Sequence, residues 1–321
     1  MDLFLGSVNI SFPDIIKTLI TGHNSNHELE VVIFDFRLPK ALAAILAGIA
    51  LSVSGLQMQT IFRNPLAGPD VLGISSGASL GVALVVIGLP SFFTENLSGM
   101  LGNWALIIAA CIGAAAILLL VLLVSSKVRD IMTILILGIM IGAAISSVVS
   151  ILQYFGSETL LKSFVIWTLG SLGNISKTQV GILGICLVTG LLLSFLSLKK
   201  LDALLIGEKY AYTMGLNIKE TRLLVFISTS ILAGSTTAFC GPIAFIGIAV
   251  PHLCRIIFKT SEHKVLFFAT IISGATILLL CDIISQLPGS NLTLPINSIT
   301  ALVGIPVVIW IIIRNQKRTF W

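Results

Sequence analysis

Along this chain the apolar residues fall in long blocks, not in the alternation of a half-buried strand or the one-sided stripe of a soluble helix. The clearest block runs from Leu38 to Phe62. It carries no acid, has one lysine near its start, and stops at Arg63-Asn64-Pro65-Leu66-Ala67-Gly68-Pro69. About 25 helical residues cover the roughly 30 Å of a bilayer's hydrocarbon core, and Pro65 and Pro69 forbid simple continuation of the helix. Comparable blocks at 71–90, 104–124, 131–154, 178–198, 222–239, 243–258, 265–286 and 295–313 predict nine membrane spans joined by short loops. The expected fold class is an all-α, polytopic transmembrane helical bundle, built as one domain over residues 1–321. Gly241-Pro242 and Pro251 predict that the span at 243–258 is short and bent.

Composition agrees: 56% of residues are hydrophobic, 10% are charged and the mean hydropathy is +1.07, far too apolar for a soluble domain of 321 residues. Threaded back and forth with the C-terminus inside, the nine spans place Arg63, Lys127, Arg129, Lys199, Lys200, Lys209, Lys219, Arg222, Arg255, Lys259, Lys264, Arg314, Lys317 and Arg318 on one side. Only Lys17, Arg37, Lys40, Lys162 and Lys177 fall on the other. The basic side is expected to be cytoplasmic, so the net charge of +5 is a topology signal and leaves no basic tail for nucleic acid. Residues 1–36 then form an outer N-terminal segment. Met1 to Ser7 looks like the tail of a helix already crossing, and Ser11-Phe12-Pro13-Asp14 like the start of a short interfacial helix, so a first helix is expected upstream.

Cys111, Cys186, Cys240, Cys254 and Cys281 are scattered through apolar blocks and imply neither disulfide nor metal. The four histidines are equally dispersed and lie in no zinc-binding frame. The longest basic-side loop, 199–221, reads as two short helices, Leu201 to Ile206 and Glu208 to Met214, broken by Gly207 and stopped by Gly215. Such an amphipathic element could lie on lipid or dock into a partner. Asp282 is the one deep acid, and its place a turn from the outer surface at Leu287-Pro288-Gly289 favours a hydrogen-bonded structural role over a functional one.

Several motifs carry a resemblance. Arg37-Leu38-Pro39-Lys40, the stretch from Gln59 through Arg63-Asn64-Pro65 to Ala78, the Gly207 to Gly215 loop, and Gly241-Pro242 through Pro251-His252-Leu253-Cys254-Arg255 together resemble the FecCD-type permease family. Its members are membrane subunits of ABC importers (the type II kind) for iron-siderophore complexes, haem and cobalamin, and the likeness runs from about Gly6 to the C-terminus in the same order and spacing. The family normally has ten helices with both ends in the cytoplasm, so the nine spans here match its second to tenth. The resemblance implies a bacterial cytoplasmic (inner) membrane location, a second permease copy as a homodimer or pseudo-symmetric pair, two ATPase subunits, and an extracytoplasmic substrate-binding protein.

No phosphate-binding loop of the form Gly-x-x-x-x-Gly-Lys-Ser/Thr occurs, so the chain is expected to be no enzyme and to bind no cofactor, ATP being used by the partner. The resemblance makes 201–216 a coupling element for the ATPase, with Leu205, Ala211, Met214 and Leu216 as apolar anchors, Glu208 for orientation, and Gly207 and Gly215 as its breaks. Arg37 and Lys40 match positions that pair with acids on the binding protein; snorkelling to phospholipid headgroups is the other reading. Arg63, Asn64, Pro65, Gly241, Pro242, Pro251 and His252 belong to the structural motifs. The helices matching 131–154 and 295–313 line the family's translocation path, which makes Gly142, Ser146, Ser147, Ser150, Asn297 and Thr300 candidate path residues, or small residues for tight packing. A further docking arginine of the vitamin importers is replaced by Gln286, which tilts the expectation towards an iron chelate and away from cobalamin. An ion-coupled transporter would need a buried cluster of acids and histidines, and an embedded enzyme a nucleophile with its base; the sequence offers neither.

Overall fold

The computed structural model describes residues 27–89, 100–128, 130–286 and 293–316, together with Ile15 and Thr18. Besides a 3-10 turn at Pro69–Leu72, eleven helices are defined there. They are α1 (His27–Ile61), α2 (Ile74–Gly88), α3 (Met100–Lys127), α4 (Ile131–Phe155), α5 (Glu158–Thr168) and α6 (Lys177–Ile206), then α7 (Glu208–Thr213), α8 (Ile218–Cys240), α9 (Ile246–Phe258), α10 (His263–Ser285) and α11 (Ile296–Gln316). Six of these, α1, α3, α4, α6, α8 and α10, are long and apolar enough to cross a membrane, and α2, α9 and α11 supply three shorter apolar stretches. The expected upstream helix, the segment Ser11 to Asp14, Lys17, Arg129, Leu287 to Gly289, Lys317 and Arg318 lie outside the described residues.

Three element boundaries depart from the sequence reading. α1 continues N-terminally past Arg37 through a π-helical stretch, Val32–Arg37, because nothing between His27 and Leu38 breaks a helix. α6 runs unbroken for 30 residues, about 45 Å. Leu201 to Ile206 is therefore the projecting end of a spanning helix, where a separate short helix was expected; only Gly207, at φ +129°, ends it. α9 begins at Ile246, after an extended stretch that Phe245 closes in the left-handed region, so it is shorter than the expected 243–258. The amphipathic α5 on the non-basic side had no counterpart among the predicted spans.

Apolar side chains gain nothing from leaving lipid, so spanning helices are held by close approach and by hydrogen bonds across the interface. α1, about four-fifths buried over its most apolar stretch, takes the central place against α6, α8, α9 and α10. Gly48 faces Gly274 of α10 so closely that a Cβ on either would strike the other's carbonyl. Gly55 meets the Gly247 carbonyl of α9 in the same way, and Gly77 and Gly113 join α2 to α3. Deep inside, Gln57 donates through Nε2 to Ser197 Oγ (3.2 Å) and accepts from Ser228 Oγ (3.2 Å) and Thr229 Oγ1 (3.2 Å), so α1, α6 and α8 share one satisfied polar centre.

Helix ends are fixed by capping. Asp130 caps α4, accepting from the Thr133 hydroxyl (2.7 Å) and amide (2.8 Å). These bonds hold its carboxyl below the usual carboxylate range, so the cap is intact at neutral pH and is lost as pH falls through that lowered value. At the end of α1, Arg63 sits at φ +47°, while the amides of Arg63 and Asn64 close back onto the carbonyls of Thr60 (3.2 Å) and Gln59 (3.1 Å), a Schellman stop.

Gly55→Leu is expected to force α9 from α1 and to cost about 3 kcal/mol or more in denaturant unfolding of detergent-solubilised protein. Gly184→Leu, with nothing within 4 Å of the added Cβ, serves as the control that leaves stability near wild type.

Candidate functional site

Three regions gather the residues singled out by sequence. The first is the loop beyond α6. α7 ends in a second Schellman stop, with Gly215 at φ +86°, its amide on Tyr212 O (3.0 Å), and the Leu216 amide on Ala211 O (3.0 Å). Ala211 is wholly buried against the chain's own core and Leu216 packs partly against the same core. Ala211 is therefore an internal contact rather than an anchor for a partner. Leu205 and Met214 are open, and beside them stand Ile206, Tyr210 and Tyr212, which the sequence reading passed over; Tyr212 is 71% exposed and Met214 68%.

Glu208, about one-third exposed, is tied to the bundle as well. Its carboxylate accepts from Arg222 Nη2 of α8 at 2.7 Å, where Arg222 is almost fully buried. Instead of facing outward to orient a partner, Glu208 fastens α7 to α8. Arg63 donates through Nη2 to the Leu204 carbonyl at 3.1 Å, placing a cation on the C-terminal end of α6. The motif arginine thus ties the end of α1 to the base of the loop, while Asn64 Oδ1 accepts from the Leu66 amide (2.9 Å) and shapes the turn carrying the exposed Pro65.

The second region is the opposite end. Arg37 closes the π-helical stretch of α1 and is half-buried. Lys40 lies 3.1 Å from Asp282 Oδ1, with the carboxylate only 1% exposed. Two residues flagged separately in the sequence are partners, and Asp282 is further held by Ser285 Oγ (3.3 Å) and Gln286 Nε2 (3.1 Å). The pair lies in the wall of an open cavity of about 240 Å³ formed by the ends of α1, α5, α10 and α11. Lys177 and Asp35 make a second, more exposed pair at 2.7 Å.

The third region is the path suggested along α4 and α11. Ser146, Ser147 and Ser150 stand on the open face of α4, each hydroxyl donating to the carbonyl four residues back at 2.9 to 3.0 Å. Gly142, one turn before Ser146, is itself buried beside Ser76 and Gly73 of the α2 entrance. Thr300 is fully buried and bonds to the Asn297 carbonyl (3.1 Å). Asn297 accepts the Ala244 amide through Oδ1 at 3.0 Å, so its side chain holds the extended stretch before α9. That stretch begins at Gly241, at φ +74°, where a Cβ would press on the Trp167 carbonyl (2.7 Å) and Gly170 Cα (2.9 Å); Pro242 follows. Pro251 lies inside α9, and His252 next to it is nine-tenths buried.

Comparison with known proteins fits these features. A model of the FecCD transport family matches residues 1–314. The hemin transport system permease protein HmuU of Yersinia pestis is 31% identical over 317 residues, covering 98% of this chain and 93% of its own. The vitamin B12 import system permease protein BtuC of Klebsiella pneumoniae is 35% identical over 290 residues, covering 90% and 84%. Among solved structures, an inward-facing ABC transporter of the metal-chelate type superposes with a TM-score of 0.82 at 29% identity, over 98% of this chain and 94% of that one. With its helical bundle, its short seventh apolar stretch and its exposed loop beyond α6, this chain belongs to the FecCD transport family.

Proposed function

We propose that the chain is the permease of an ABC importer in a bacterial cytoplasmic membrane, with its C-terminus inside, and that it carries an iron chelate, a ferric siderophore or haem. The observation that carries this reading is α7 with the end of α6 in a FecCD chain: a short helix clamped to α8 through Glu208 and to the core through Ala211, which together with the last turn of α6 presents Leu205, Tyr210, Tyr212 and Met214 outward. A rigid helix with an exposed aromatic and aliphatic crown suits insertion into a groove of an ATPase. Two such ATPases and a second permease copy complete the assembly in this reading, and ATP is consumed there.

On the outer side Arg37 and Lys40 serve docking of a binding protein, whose acids would compete with Asp282 for Lys40. Ser146, Ser147 and Ser150, with hydroxyls already bonded to their own helix, would offer a large chelate a surface that wets easily but grips weakly. Cobalamin is the second reading, favoured by the vitamin B12 permeases among the relatives. Gln286, held by Asp282, favours the iron chelate.

Vesicles holding the permease with its genomic neighbour ATPase and binding protein should take up ferrichrome or haem only with ATP inside. Uptake of cyanocobalamin alone would select the second reading, and no ATP-dependent uptake would refute the proposal. Tyr212→Ala and Met214→Ala should each weaken ATPase association by about tenfold, as for centrally placed anchors, measured by titration of the detergent complex. At the outer end, Lys40→Met should destabilise the fold by about 3 kcal/mol by leaving the buried Asp282 charge alone, with much of that recovered in Lys40→Met/Asp282→Leu. Equal unfolding midpoints for the single and double variants would contradict the pairing.

A further inference from the structure

The loop beyond α6 hangs from a second set of contacts that the docking element does not use. Asp202, five residues before Gly207, sends its carboxylate across to the start of α10. There Oδ1 accepts the His263 amide at 2.9 Å and lies 2.6 Å from His263 Nδ1. Glu262, which occupies the cap position of α10, makes no capping bond of its own, so an acid from another helix caps α10 instead. Asp202 Oδ1 and His263 Nδ1 thus share one hydrogen bond between the two side chains.

His263 is completely buried, and its other nitrogen continues inward. Nε2 lies 2.8 Å from Thr60 Oγ1, in the last turn of α1. Arg255 of α9 donates through Nη2 to the same hydroxyl (3.5 Å) and through Nη1 to Gln59 Oε1. Gln59 Nε2 then donates to the Ile248 carbonyl at 2.9 Å, inside the helix that Pro251 interrupts. A continuous chain of hydrogen bonds therefore starts at the half-exposed Asp202 and runs through α10 and α1 to α9, at Arg255 in its last turn and Ile248 in its first. Apolar contacts between helices are non-directional and allow sliding, whereas hydrogen bonds fail when their distance and angle are lost.

We infer that Asp202, His263, Thr60 and Arg255 form a positioning relay that carries movement of the coupling element into α1 and α9, with His263 as its joint. The inference rests on the coupling reading of α7 and names residues of this chain outside the docking surface. In it His263 touches neither nucleotide nor cargo and acts by fixing the end of α6 relative to α10 and α1.

The test is uptake per ATP hydrolysed, in vesicles of the complete importer, using whichever of ferrichrome, haem and cyanocobalamin the wild type transports. His263→Ala should leave ATP hydrolysis within about twofold of wild type and lower uptake per ATP by about fivefold or more. His263→Asn, which keeps an N–H for Asp202, should restore the ratio to within about twofold. Asp202→Ala should lower it like His263→Ala, and the double variant no further, as expected for one chain of contacts. Asp202→Ala removes a half-exposed side chain, so it reports even where His263→Ala fails to assemble. An unchanged ratio in Asp202→Ala, a proportional loss of both activities, or a His263→Asn variant no better than alanine would overturn the relay. A wild-type complex that hydrolyses ATP yet moves none of the three would overturn the transport reading itself, a result distinct from any variant-specific one.

Discussion

In a bilayer one apolar helix has no hydrophobic reason to seek another, so this fold depends on how closely its neighbours can approach α1. Glycine at positions 48 and 55 brings the backbones of α10 and α9 within carbonyl contact of α1, and Gln57 fills the remaining polar centre with bonds to α6 and α8. Each of those four helices packs directly on α1, and α6 and α8 pack extensively on each other as well. A side chain at Gly48 or Gly55 would therefore disturb more than a local contact, because the ends of α6 and α10 carry the groups facing the two aqueous sides.

At the basic end three polar ties converge on the loop that leaves the bundle. Arg63 caps the last turn of α6, Glu208 clamps α7 to Arg222, and Asp202 caps α10 through His263. The Schellman stop at Gly215 leaves α7 no slack at its far end. At the other end Lys40 joins α1 to α10 through Asp282. The exposed surface of α7 is thus an outgrowth of the packed bundle rather than an appendage on a tether. Force applied to its exposed tyrosines meets backbone caps and ion pairs before it meets a flexible joint.

Much of this was legible in the sequence because a spanning helix needs a run of about 20 apolar residues, a signal that tertiary context rarely overrides. The turn at Arg63-Asn64-Pro65, the break at Gly207 and the stop at Gly215 were legible for the same reason: proline and glycine act locally. What depends on partners far along the chain was not. Nothing local to Lys40 announces Asp282, and nothing in Glu208 distinguishes an outward carboxylate from one turned onto Arg222. Composition could not tell which face of α4 or α11 holds a small residue, so Gly142 and Thr300, both buried, were grouped with the exposed serines. α6 was cut short because Lys199-Lys200 looked like its end, whereas a helix longer than the bilayer simply continues into water.

On the coupling reading of α7, these ties make α7 and the basic ends of α1, α6 and α10 one body that moves together when an ATPase closes. Spin labels at Lys209 of α7 and Lys264 of α10, both exposed, would report this directly in the assembled transporter. Their distance distribution should then shift by no more than about 2 Å between nucleotide-free and ATP-trapped states, the scale of a packed helix shift. A change of about 5 Å, the scale of a one-turn slip between elements, would show that the loop moves on its own and contradict the claim.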